Sequence, residues 1–146
     1  MRLMAIAVTL MLILALLTVL FFIGMPRRES KILVKFSRVG GIFGEQEEII
    51  IYSDGKLSYT AEKRNVSFEK ELTPEVLSEL KNKISKASPY CGRVFEAGKG
   101  AADFYTYTLE IEKCKIVWVD EWAVQTPLPG EIVELQFFFK KLLEDF

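Results

Sequence analysis

The sequence predicts an α+β domain behind an N-terminal transmembrane helix. Three observations predict it. Short runs of alternating apolar and polar residues recur along the chain, which is the period of half-buried strands. Two longer stretches, one after Thr73 and one after Pro129, carry apolar residues at helical spacing. Ahead of them all, Leu3 to Met25 is an unbroken apolar run with no charge between Arg2 and Arg27. The order β-β-β-β-α-β-β-α predicts an antiparallel sheet of about six strands with two helices packed on one face.

The apolar run comes first. As a helix it is roughly 35 Å long, enough for a hydrocarbon core of about 30 Å. A cleaved secretory signal is the competing reading. Signal cores are shorter and end at a small-x-small site, whereas this run ends in Phe22-Ile23-Gly24-Met25-Pro26. No Cys precedes Cys91, which argues against a lipid-modified N-terminal cysteine. The expectation is an uncleaved anchor in contact with membrane lipid, residues 1–30 being anchor and linker and 31–146 one domain. Arg27, Arg28 and Lys31 follow the span and Arg2 precedes it, so the count of basic residues favours a cytoplasmic domain. The very short N-terminal tail resembles a signal anchor and favours an extracellular one, which is the expectation retained.

After the linker, Lys31 to Val39 alternates, with Ile32, Val34 and Phe36 facing one way and Lys35 and Ser37 the other. Gly40-Gly41 ends that strand. Gln46 to Ser53 holds the β-branched run Ile49-Ile50-Ile51, and Asp54-Gly55 is a hairpin turn signal. Lys56 to Thr60 and Val66 to Lys70 are the next two strands. Thr73-Pro74-Glu75 starts a helix, with a hydroxyl cap, a proline in the first turn and an acid at the positive dipole end. Val76, Leu77, Leu80, Ile84 and Ala87 form its apolar face, and Ser88-Pro89 stops it. Residues 89–103 read as a glycine-rich loop. Phe104 to Glu112 and Lys115 to Asp120 form a hairpin, and Glu131 to Phe146 a last helix.

Composition narrows the chemistry. There are 19 Lys and Arg against 20 Asp and Glu, for a net charge of −1, so no basic footprint for nucleic acid exists. The chain has no His, which removes the commonest general base, the commonest metal ligand and every Ser-His or Cys-His nucleophile. Cys91 and Cys114 lack metal-site spacing; they are either one disulfide or two free thiols, and the sequence chooses neither. Few amides and many Glu, Lys and Ile residues give the bias of proteins from hot environments.

Local motifs do not supply an active site. Ala97 to Gly100 reads AGKG, yet the glycine spacing is wrong for a phosphate loop and Gly100 stands where Ser or Thr is needed. Asp103, Asp120 and Glu121 are candidate paired acids, but Asp120 and Glu121 read better as a solvent-exposed strand end. A hydrolase would need acids gathered round a metal. Phe104, Tyr105, Tyr107, Trp118 and Trp122 are candidate surface or core aromatics. No cofactor or metal is expected.

Arg38 to Gly44, RVGGIFG, resembles the R-S-G-G-F-A-G opening of the emfourin-like proteins, small inhibitors of thermolysin-type metalloproteases. Gly100 to Ile111, GAADFYTYTLEI, resembles their G-A-D-x-F-x-Y-x-L segment. The helix from Thr73 to Ala87, the strand end at Asp120 and the Pro127-Leu128-Pro129 entry to the last helix fall in the same order. The resemblance covers roughly residues 32–143. The chain departs from the pattern in its anchor, in Val39 where the motif has Ser, and in its two cysteines. The resemblance implies a rigid loop entering a protease cleft, with Gly40, Gly41, Ile42, Phe43 and Gly44 as the partner-binding residues. The competing reading, slightly favoured by the sequence, has the glycines only shape a hairpin and Phe43 cap the core. The expected function is thus a membrane-anchored, non-enzymatic domain that binds another protein, a metalloprotease inhibitor by resemblance. The alternative is a structural or assembly subunit of a membrane complex. Ala5, Ala7 and Ala15 in the span give little support to helix pairing, since no GxxxG is present.

Overall fold

The chain is seen in a computed structural model that describes residues 30–144. The strands are β1 (Ile32–Gly40), β2 (Glu45–Tyr52), β3 (Lys56–Ala61), β4 (Val66–Glu71), β5 (Val94–Phe95), β6 (Tyr105–Ile111) and β7 (Cys114–Val119). The helices are α1 (Pro74–Ala87) and α2 (Gly130–Glu144), and a 3-10 turn, Ser88–Tyr90, follows α1. The anchor expected over Leu3–Met25 lies outside the described residues. Among the described residues, no helix is long and apolar enough to cross a membrane.

The architecture is α+β. The sheet has seven strands in the order β4-β3-β2-β1-β6-β7-β5 and is mixed, which corrects the expected antiparallel sheet of about six. β5 is the added strand. It lies in the glycine-rich stretch and pairs in parallel with β7, Val94 opposite Val117 and Phe95 opposite Trp118. The remaining pairs are antiparallel.

Alternation sets the two faces. Val34 and Phe36, Ile49 and Ile51, Leu57 and Tyr59, Tyr107 and Leu109, and Ile116 and Trp118 are buried on one face. Leu80 and Ala87 of α1, and Ile132, Leu135, Phe138, Phe139 and Leu142 of α2, close over it in the same cluster. Phe139 stacks on Phe36 with centroids 4.1 Å apart, and Trp118 Nε1 donates to Gln136 Oε1 at 3.0 Å, so α2 is keyed to the sheet by shape and by one polar bond. The opposite face carries polar pairs such as Lys35–Glu48 and Lys115–Glu110.

Ile32 does not share the face of Val34. The β1–β2 register slips between Ile32 and Val34, so Ile32 is exposed and Leu33 packs on the core instead. A one-residue slip reverses side-chain direction, which a pattern of alternation does not foresee. α1 begins as expected: Thr73 Oγ1 accepts from Val76 N at 3.4 Å, and Pro74 occupies the first turn.

The ends of the sheet differ. At one end the chain enters β1, with Ser53 N donating to Lys31 O at 2.8 Å beside the Asp54-Gly55 turn. The other end gathers the β1–β2 loop, the β3–β4 turn, the start of β6 and the end of β7.

Candidate functional site

At this second end, four residues line up across three strands and the residue that follows β7. Glu45 opposes Gly40, Gly40 opposes Tyr105, and Tyr105 continues the row to Asp120. The β1–β2 loop rises from the Gly40 position. Gly44 N donates to Gly41 O at 2.9 Å, which closes the turn, and Gly41 N donates to Phe104 O at 3.1 Å, which fastens it to the start of β6.

Glycine is required here for two separate reasons. Gly40 and Gly41 have φ of 129° and 71°, where side chains are strained. A Cβ on Gly40 would also sit 2.4 Å from Phe104 O, and one on Gly41 would sit 2.7 Å from the Tyr105 ring. Lys63 Nζ donates to Phe43 O from the neighbouring β3–β4 turn. The loop base is therefore packed tight. Its tip is not: Ile42 is 77% exposed and Phe43 76%. Phe43 does not cap the core, and the structure brings Gly40, Gly41, Ile42, Phe43 and Gly44 together as one projecting loop.

A polar network supports the loop from the helix-covered face. Glu47 is only 3% exposed although it is charged. Arg38 reaches its Oε2 at 2.5 Å, Arg64 binds Oε1, and Tyr59 Oη donates to Oε1 at 3.0 Å. A buried carboxylate persists only with such partners. The Arg38 guanidinium also lies 4.5 Å from the centre of the Tyr105 ring, and Tyr105 Oη donates to Glu45 Oε2 at 2.7 Å. That hydrogen bond, followed by burial, raises the Tyr105 pKa. Arg38, Glu47, Tyr59, Arg64, Lys140 and Leu143 line an open groove of about 400 Å³ beside the end of α2.

Asp120 was expected in solvent and is instead a bracket. Its Oδ2 accepts from Tyr105 N at 2.7 Å and its Oδ1 accepts from Tyr107 Oη at 2.7 Å. Asp120 N donates back to Tyr105 O at 3.1 Å. Burial, then the bond to Asp120, pushes the Tyr107 pKa well above the ordinary tyrosine value. Asp103 takes φ of 60° just before β6, a left-handed turn that Asp tolerates. Among the described residues, Asp103 and Glu121 have no ion-pair partner, and no group of three His, Cys, Asp or Glu is placed to hold a metal.

Of the sequence's candidate aromatics, Tyr107 and Trp118 are core, Phe104 and Tyr105 are partly covered, and Trp122 projects with 67% exposure. Cys91 and Cys114 form a disulfide with Cα atoms 5.1 Å apart. It resolves the choice left open by the sequence and ties the segment before β5 to the start of β7. The pairing of Arg38 with the buried Glu47 carboxylate was missed in the sequence. Its signal was present: Glu47 is in phase with Ile49 and Ile51, and Arg38 is in phase with Phe36. Set beside known proteins, the chain matches no family model and no curated protein sequence.

Proposed function

We propose that this chain is a membrane-tethered, non-enzymatic domain that binds another protein through the Gly40–Gly44 loop. The observation that carries this reading is the pairing of a rigid base with an apolar tip. Gly40 and Gly41 lie so close to Phe104 and Tyr105 that no side chain fits there, and Gly41 N is bonded to Phe104 O, while Ile42 and Phe43 are mostly in water. A loop whose backbone is already bonded in place loses less entropy on binding, which is how a short loop gains affinity. Three carboxylates near the loop are already engaged, Glu45 by Tyr105, Glu47 by two arginines and Asp120 by two donors, which favours a structural role for them over acid–base work.

The resemblance to the emfourin-like proteins adds the class of partner: a thermolysin-type metalloprotease whose cleft takes the loop. The disulfide does not choose the side of the membrane, because heat-adapted organisms form disulfides inside the cell as well. The loop tip lies at the end of the sheet away from Lys31, clear of the point where the tether joins.

The test is a titration of a thermolysin-type enzyme with the full chain in detergent micelles. Stoichiometric inhibition at sub-micromolar concentration is expected, lost in the Ile42→Ser, Phe43→Ser double variant with its melting temperature unchanged. No inhibition by the folded chain overturns the protease reading. The second reading, an assembly subunit of a membrane complex, draws on exposed Phe137 over the groove of about 380 Å³ between α1 and α2. Co-purification of stable membrane partners that survives the loop double variant would favour it.

A further inference from the structure

We infer that Trp122 is a second anchor of the same partner-binding surface, and that the partner is a folded protein with two neighbouring apolar pockets and a basic rim. The inference rests on the loop reading above and adds a site to it. Trp122 is 67% exposed, the largest aromatic so displayed among the described residues. An exposed tryptophan on a mobile segment would mean little, but this one sits on a turn pinned from both sides. Ala123 N and Val124 N both donate to Asp120 O, at 2.8 and 3.1 Å. Gly98 N donates to Ala123 O at 2.7 Å and Gln125 N to Glu96 O at 2.9 Å, which ties the turn to the segment after β5.

The two exposed sites share a foundation. Gly41 is bonded to Phe104, and Asp120 is bonded at three points to Tyr105 and Tyr107. Gly40 pairs with Tyr105 on the adjacent strand, and Tyr105 is bonded to Asp120 just past the end of β7. Two strand spacings separate the base of the Ile42–Phe43 tip from the base of the Trp122 turn, about 10 Å. That separation is fixed by the sheet, so both sites are within reach of one rigid partner.

Charge selects the partner's chemistry. Glu121 precedes Trp122, and Asp103 stands two residues before Tyr105, which is bonded to Asp120; neither acid has an ion-pair partner among the described residues. A surface that seats Trp122 must therefore offer basic groups beside an apolar pocket. The two carboxylates disfavour an anionic lipid surface at the Trp122 end.

The test places a photo-crosslinking phenylalanine analogue at position 43 or position 122 of the full chain in its native membranes, with position 58 on the opposite face as control. The expected result is one protein adduct common to positions 43 and 122 and absent at 58. Trp122→Ser is expected to lower the yield from position 43 about 30-fold at limiting chain concentration, the loss that a hot-spot aromatic produces. An adduct from position 43 that is unaffected by Trp122→Ser, with none from position 122, overturns the second anchor and leaves the loop reading standing. No protein adduct from either position, or adducts to lipid alone, overturns both.

Discussion

Arg38 and Glu47 stand directly opposite each other on β1 and β2, and a guanidinium nitrogen lies 2.5 Å from a carboxylate oxygen. Both side chains lie on the helix-covered face, in line with Phe36 and Ile49. Removing the carboxylate would leave two arginines facing each other over a buried site. Glu47→Leu is expected to cost about 2–3 kcal/mol, less than a fully buried charge would because Arg64 reaches water. Tyr59→Phe, which removes one donor and no charge, should cost about 1 kcal/mol. Urea denaturation of the three chains measures both; equal midpoints for Glu47→Leu and wild type would remove the network from any account of stability.

The loop base makes a sharper prediction about shape. Gly40→Ala meets both a positive φ and a carbonyl 2.4 Å from the new carbon, so β1 and β6 must part locally. A loss of about 2–3 kcal/mol is expected. Gly44→Ala also has positive φ, but its nearest neighbour is the flexible Lys63 ammonium at 3.4 Å, so about 1 kcal/mol is expected. Thermal melts that rank the two variants the other way would contradict the described loop.

Cys91 and Cys114 close a loop of sequence separation 23. The chain-entropy model gives about 3 kcal/mol for a loop of this size. The Cys91→Ser, Cys114→Ser double variant should show that loss, and a reducing agent should shift the melting temperature of wild type but not of the variant. A wild-type transition indifferent to reduction would mean that the pair contributes nothing to stability.

The raised pKa of Tyr107 fixes the sign of an alkaline effect. The folded chain holds this proton more tightly than the unfolded chain does, so the contribution is whole below the ordinary tyrosine value near 10 and is lost as pH climbs past it. Tyr105 and Tyr59 shift the same way, the first through its bond to Glu45 and the second through burial. Stability should fall from about pH 10 upward, and the fall should be shallower in Tyr107→Phe. Melting curves recorded across this range decide it; parallel slopes in the two chains would count against the Tyr107–Asp120 bond.

Much of the fold is legible because strand period and cap chemistry are local. Ile49-Ile50-Ile51, Asp54-Gly55 and Thr73-Pro74 each carry their own signal. β5 is not legible, since Val94-Phe95 is too short to alternate and exists by pairing with Val117 and Trp118 across the chain. The bulge at Ile32 is hidden for the same reason: register belongs to two strands at once. At the site, the glycines of the Gly40–Gly44 loop were visible, but their necessity comes from Phe104 and Tyr105 on another strand. Asp120 was misread as solvated because its partners, Tyr105 and Tyr107, lie across a hairpin. Strand parity placed Asp120 on the face of Ile116 and Trp118, and that was the clue available.

β1 joins the two ends of this molecule in a single span of nine residues, from beside Lys31 to the foot of the Ile42–Phe43 loop. A pull applied at Lys31 and resisted at Phe43 therefore travels through the covalent backbone of one strand. That strand is already extended at about 3.3 Å per residue and has almost no slack to give. The helices, the disulfide and the other strands lie outside the load path. Tension between those two points would leave the domain folded, and the weakest element in the line would be whatever grips the loop.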